Sequence, residues 1–311
     1  MNDTVHQSVL LQAVCDFLKG KKLVVDCTLG LGGHSEALLE RAGAAMKIVA
    51  FELDNQNLDY AKNRLKKYSS RVRYVKSNFA NLKQSLLELK VDKVDGILLD
   101  LGLSSPHVDD AARGFSFRFE GPLDMRFDKT QELTAGDIVN TWSKEDLKLV
   151  LKKYGELHKP QSLLRAILQR RAVKPFETTS ELAELLRSKV HFKQQAGTVT
   201  KVFQALRIAV NDELGVLRSI LPQCIEMLEP GGRLLVISYH SLEDRIVKHF
   251  LKDEEKDCVC PIEIPYCQCD KQQTIKILTK RPVEPDDEEK KLNPRSRSAK
   301  MRVAEKLQTD S

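Results

Sequence analysis

The stretch VVDCTLGLGGHSEALL near the start of the chain constrains the fold more than any other segment. An apolar run, Leu23 to Val25, meets Asp26, then a glycine-dense turn (Gly30, Gly32, Gly33), then a segment that reads as helix from Ser35. A strand that stops at glycines and restarts as a helix is how open α/β sheets hold nucleotide-like ligands. Glycine lets the backbone approach closely, and the first helical amides point at the ligand. The details exclude two common occupants. The dinucleotide fingerprint G-x-G-x-x-G needs a third glycine where Ser35 stands, and no lysine of the GK[ST] type serves the turn for phosphates.

Three more strands follow in alternation with helices. KIVAFELD ends in Glu52 and Asp54, RVRYVKSN ends beside Phe79, and GILLDL ends in Asp100. Glu52 lies about 20 positions beyond the turn, where an acid binds a ribose diol. Any one of these residues could merely cap the next helix. Four successive strands ending this way, at the edge where such sheets bind ligands, are hard to explain as caps alone. A ligand with adenine and ribose but no phosphate fits best, and S-adenosylmethionine is the cofactor expected.

The chain has 311 residues and no apolar run long enough to span a bilayer. Its N-terminus, MNDTVHQSVLLQAV, lacks a signal-peptide layout, so the expectation is a soluble, cytoplasmic protein. Seven cysteines, with Cys15, Cys27 and Cys224 in apolar or helical contexts, agree with a reducing compartment. The net charge of +6 permits an anionic partner, and its basic residues concentrate in DRIVKHFLK and above all in KKLNPRSRSAKMR.

The α/β alternation stops after GILLDL. From about Ser105 to Val199 the sequence reads as loop and then helix after helix. Ser143 caps SKEDLKLVLKKYG with Asp146 at the third position, Pro160 opens QSLLRAILQRR, and threonines precede SELAELLRSKV. The sheet pattern returns with EPGGRLLVISYH and IKILTK, and AKMRVAEK reads as a last, antiparallel edge strand. The acidic run DDEEK reads as a solvated loop. The expected fold class is therefore α/β: a doubly wound, Rossmann-like sheet formed by residues 1–105 and 200–311. An all-helical domain, residues 106–199, is inserted between the fourth and fifth strands.

The blocks LLDLGLSSPHVDDAARGFSFRFEGPLDMRFD, GLGGHS, FQALRIAVNDEL, PGGRLLVISYHSLEDRIVKHF and NPRSRSAKMR resemble, in order and over nearly the whole chain, the bacterial 16S ribosomal RNA cytosine-N4 methyltransferase family. The resemblance implies a class I methyltransferase fold with an inserted helical domain for RNA recognition and S-adenosylmethionine as methyl donor. It also implies methylation of the exocyclic amine of one cytidine in the decoding region of the small ribosomal subunit. The implied cofactor contacts fall on Gly32, Gly33 and His34, on Glu52 where the family usually has aspartate, on Phe79 and Asp100, and on His107 where glutamine is common. Other readings are an S-adenosylmethionine enzyme acting on DNA or a small molecule, and a non-catalytic assembly factor that kept the fold. The sequence leaves a homodimer open.

Methyl transfer from a sulfonium to an amine asks the protein mostly for positioning and water exclusion. Asp100, or the LGLSSP loop after it, is expected to orient the amine. Tyr239 or His240, at the end of the fifth strand, is a candidate to stack on an extruded cytosine, with Ser241 as cap of the following helix. Candidate RNA-binding groups are Arg113 and Arg126 in a long aromatic loop, Arg207 and Asn211 one helical turn apart, and Arg295 and Arg297 in the tail. For Arg207 an ion pair with Glu213 or Asp212 is an equal alternative. Catalysis of this kind calls for no metal. CVCPIEIPYCQC (Cys258, Cys260, Cys267, Cys269) is open to two readings, a structural zinc site or a plain cysteine-rich loop.

Overall fold

The computed structural model describes residues 8–42, 45–261 and 266–308, apart from the side chain of Ser105. The N-terminal MNDTVHQ and the IEIP segment of the cysteine-rich loop lie outside the described residues. The chain divides into two compact units, Met1–Gly102 with Val216–Ser311, and Leu103–Gly215. The helix Gln195–Asn211 runs through the expected boundary at residue 199. It buries Val199, Val202, Phe203, Leu206 and Val210 in the core of the second unit, which is why that unit continues to Gly215.

The first unit is built on a sheet of β1 (Leu23–Asp26), β2 (Lys47–Phe51), β3 (Val72–Val75), β4 (Val94–Asp100), β5 (Leu228–Ser238), β6 (Ile275–Ile277) and β7 (Lys300–Lys306). Its order is β3-β2-β1-β4-β5-β7-β6. β1 to β5 run parallel, and β7 is antiparallel to both β5 and β6. Neighbouring residues on a strand feed opposite cores, as a period of two requires. Val24, Ile48, Leu98, Leu235 and Ile237 enter one apolar cluster, while Val25, Val49, Ile97, Leu99, Leu234 and Val236 enter the other. Both faces are thus covered, the usual condition of parallel sheets. The strand order reverses between β1 and β4, which makes the carboxyl ends of those strands the ligand crevice of a doubly wound sheet.

Two readings of the sequence change. AKMRVAEK is not the edge strand. It is paired on both sides, with Met301, Val303 and Ala304 buried, and the three-residue β6 takes the edge instead. A very short strand there leaves few unpaired backbone groups to template aggregation. DDEEK is not a solvated loop either: Asp286 caps a helix, Asp287–Leu292, by accepting from the Glu289 amide, and Glu289 Oε1 accepts from Leu10 N at 2.7 Å.

The second unit is helical around a core of its own. Thr134, Ser143 and Thr178 each accept the third amide of the helix that they cap, and Thr134 and Thr178 complete reciprocal boxes with Asp137 and Glu181. Apart from an isolated bridge between Pro122 and Thr178, the described residues of this unit form no strand. No helix among the described residues of either unit is long and apolar enough to cross a membrane.

Candidate active site

The glycine turn after β1 is held by side chains from its own flanks. Gly30 and Gly32 have φ of 51° and 79°, the left-handed region that costs an L side chain about 1–2 kcal/mol. Asp26, almost fully buried at the end of β1, accepts from Ser35 Oγ at 2.7 Å and from Thr28 N at 3.2 Å. This explains why serine replaces the third glycine of a dinucleotide fingerprint: Ser35 fastens the helix Gly33–Arg41 to the strand it follows. Burial pushes the Asp26 carboxyl up, against the Ser35 bond and the His34 charge that pull it down. Thr28 Oγ1 in turn accepts from Asp100 N at 2.7 Å, linking the turn to the end of β4. The N-terminal segment also packs on this turn. A Cβ at Gly33 would lie 2.2 Å from Ser8 Oγ, and His34 Nε2 is 2.9 Å from Val9 O.

Glu52 stands at the end of β2 with its carboxylate turned toward the glycines. Oε2 accepts from Gly30 N at 2.9 Å, and Oε1 accepts from Leu53 N and Asp54 N, each at 2.8 Å. Burial nonetheless outweighs these amides and raises its carboxyl to about 7. Phe79 opens a short 3-10 turn after β3, behind Asn78, which caps it.

At the end of β4, Asp100 Oδ1 accepts from Tyr239 OH at 2.7 Å, and Oδ2 lies 3.6 Å from His34 Nδ1. The Asp100 side chain keeps 22% of its surface exposed, so it faces the crevice. Burial raises its carboxyl, while His34 and Tyr239 draw it back. Tyr239 follows β5, and its ring packs against Gly102, whose φ is 111° and where a Cβ would come 3.2 Å from Cδ2 of the ring. Its hydroxyl is thus committed to Asp100. His240 has a local task that the sequence reading gave to Ser241. It is the N-cap of the helix Ser241–Glu254, with Nδ1 accepting from Glu243 N at 3.4 Å and Nε2 lying 3.1 Å from Glu243 Oε1. Glu243 completes the box by accepting from the Tyr239 and His240 amides.

The structure therefore brings Gly32, Gly33, His34, Glu52, Asp100 and Tyr239 to one rim, and adds Asp26, Thr28 and Ser35, which the sequence reading did not single out. The signal for them was present: an acid directly before the turn, and a serine where glycine was expected.

Residues 3–307 match the model of the MraW methylase family. The chain belongs to that family. Ribosomal RNA small subunit methyltransferase H of Clostridioides difficile (strain 630) is 43% identical over 307 residues, 97% of this chain and 99% of that protein. The protein of the same name from Halothermothrix orenii is 44% identical over 307 residues, 97% and 98% of the two chains. That from Dehalococcoides mccartyi is 49% identical over 284 residues, 91% of this chain and 80% of its own length. The cofactor of the MraW methylases is S-adenosylmethionine, and the donor set fits it. A half-buried carboxylate over a glycine turn suits a ribose diol, and no lysine stands at the turn to recognise a phosphate.

Five further candidates belong to the second unit. His107, in the second unit, is buried, with Nδ1 3.0 Å from Ser104 Oγ and its ring 5.3 Å from those of Phe115 and Phe127. Arg113, only 4% exposed, donates to Arg126 O and Phe127 O, and Arg126 forms a two-point bond with Asp124 and donates to Gln131 O. Arg207 takes the ion-pair alternative, gripping both oxygens of Glu213 at 2.8 and 2.9 Å. Asn211 Oδ1 accepts from Phe127 N, and Nδ2 donates to Met125 O. Arg113, Arg126 and Asn211 are thus engaged in shaping the 111–131 loop. Arg295 and Arg297, by contrast, are exposed on the turn Pro294–Ser298, whose Ser296 is buried beneath them.

The loop itself is built to close tolerance. A Cβ at Gly121 would sit 1.8 Å from Ala111 O, a backbone atom that cannot rotate away. Gly121→Ala is expected to destabilise the second unit by about 3 kcal/mol, read as an early unfolding transition by calorimetry and as loss of methyl transfer to RNA. An unchanged transition would show that the loop tolerates rearrangement.

Proposed function

We propose that this chain methylates the exocyclic N4 amine of a cytidine in the decoding region of 16S ribosomal RNA, within the small subunit. The names of its relatives support the ribosomal substrate, and the carboxylate of Asp100 carries the amine. When bound, S-adenosylmethionine supplies an electrophilic methyl group on a sulfonium. The cytosine amine is a poor nucleophile because its lone pair is conjugated with the ring. An acceptor for one of its N–H bonds draws the nitrogen toward tetrahedral geometry. Asp100 offers that acceptor: Tyr239 fixes one oxygen and the rotamer, and the side chain, whose other oxygen lies 3.6 Å from His34 Nδ1, keeps 22% of its surface exposed. His34 Nε2 lies 2.9 Å from Val9 O, and its Nδ1 lies 3.6 Å from Asp100 Oδ2. Methylation at a ring carbon of cytosine instead needs a nucleophile that adds to the ring. Cys27, the cysteine beside the strand ends, is buried in the apolar core with its thiol pushed well up by burial.

The test is mass mapping of small-subunit RNA from cells lacking the protein, complemented with the wild-type chain or with Asp100→Ala. One cytidine in the decoding region should lose a methyl group and regain it only with the wild type. An unchanged methylation pattern in the deletion strain would refute the proposal. Arg295 and Arg297 are proposed to bind RNA phosphates. The double alanine variant should bind substrate RNA with a log–log salt slope shallower by about 1.4, roughly 0.7 for each single-strand phosphate that is no longer neutralised. An unaltered slope would assign the tail to solvation.

A further inference from the structure

The described cysteines include one group with no part in the chemistry above. Cys258, Cys260, Cys267 and Cys269 place their four sulfurs within 4.8 Å of one another. Cys260 and Cys267 are 4.0 Å apart, Cys267 and Cys269 3.5 Å, and Cys258 and Cys269 3.8 Å. A disulfide needs about 2.05 Å, so these are not bonded pairs. Four thiolates around a tetrahedral zinc ion at about 2.3 Å are separated by about 3.8 Å along each edge. These three separations bracket that edge length.

We propose that these four cysteines bind one structural Zn²⁺ ion. The backbone around the sulfurs is arranged for thiolates. Val259 N donates to Cys269 Sγ at 3.4 Å, Cys260 N to Cys258 Sγ at 3.3 Å, and Gln268 N to Cys260 Sγ at 3.3 Å. Amide donors favour the charged sulfur that a metal requires. Position decides the role. The cysteines lie between the end of the helix Ser241–Glu254 and β6, so the helix separates them from His240 at its start by about 20 Å. With four protein ligands no coordination position is left for substrate, which makes the ion a staple and not a catalyst. What it would fasten is clear from length. About 20 residues join that helix to a three-residue edge strand, and the described ones among them form no helix or strand, a connection longer than compact domains usually carry without a reason.

The test uses the full-length chain, expressed with zinc available and purified in reductant without chelator. Elemental analysis should find about one zinc per chain, and none in a Cys258→Ser/Cys269→Ser variant. Removing zinc from the wild-type chain should hasten proteolysis within the cysteine loop while leaving methyl transfer within about twofold. Should the variant fail to fold, Co²⁺ added to zinc-stripped wild-type chain provides the readout. A single equivalent should give the intense visible bands and sulfur-to-metal charge transfer of a tetrahedral tetrathiolate site. Four titratable thiols with no bound metal, iron in place of zinc, or cobalt spectra of an octahedral oxygen site would each overturn the proposal.

Discussion

Replacing Asp100 with alanine is expected to lower kcat at saturating cofactor by at least about 100-fold, the scale of losing a positioned proton acceptor. Tyr239→Phe should cost roughly tenfold, because the carboxylate survives while its rotamer loses the hydroxyl that fixes it at 2.7 Å. The informative comparison is the double variant. If Tyr239 acts only by holding Asp100, then removing both should cost no more than removing Asp100 alone, a strong departure from additivity. Asp100→Asn separates charge from shape. It keeps a carbonyl oxygen that can accept from the amine but no longer carries the negative charge facing His34. It should fall between the alanine variant and the wild type. Asp100→Ala strands the Tyr239 hydroxyl in a half-buried setting, so each variant needs an unfolding curve beside its kinetics. Turnover near the wild-type rate in a folded, cofactor-saturated Asp100→Ala enzyme would remove this residue from the chemistry.

The parts of this site that could be read from residues alone are those set by local chemistry. Ser143 and Thr178 cap helices because a hydroxyl three residues before an acid does so wherever it stands. Glu52 and Asp100 could be placed because a parallel strand delivers its last residue to the ligand edge regardless of what packs on the sheet. What the sequence did not reveal depends on contacts far apart in the chain. That β7 lies inside β6 is a matter of pairing between residues 275–277 and 304–306, and no local pattern distinguishes the two orders. The bond from Tyr239 to Asp100 spans 139 positions. Arg113 and Arg126 were candidate RNA-binding groups by residue type, yet their partners include backbone carbonyls of the loop itself and, for Arg126, the Asp124 carboxylate, and only the path of that loop brings the carbonyls within reach. His240 displaced Ser241 as cap because its ring nitrogen reaches the Glu243 amide, a choice among adjacent residues that propensity does not make.

Cofactor affinity is expected to rise about tenfold between pH 6 and pH 8, through Glu52. Burial holds its carboxyl at about 7 despite three backbone amides, so near pH 6 most molecules carry a proton on the carboxyl that we propose accepts from a ribose hydroxyl. Binding then first has to remove that proton. For a group with a pKa of about 7 this weakens apparent affinity about elevenfold at pH 6 and hardly at all at pH 8. The direction follows from the sign: a raised carboxyl pKa makes the acid form dominant on the low side, so affinity is lost as pH falls. Asp26 and Asp100 are also raised by burial, so the variant has to isolate the residue. Glu52→Gln cannot titrate and has lost the charge that strengthens the bond, worth about 1.5–3 kcal/mol. It should bind S-adenosylmethionine at least about tenfold more weakly at pH 8 and show little change on going to pH 6. Calorimetric titration at the two pH values reads both effects. A wild-type curve that is flat across this range, or a Glu52→Gln curve that keeps the tenfold rise, would move the titrating group off Glu52 and with it the ribose contact.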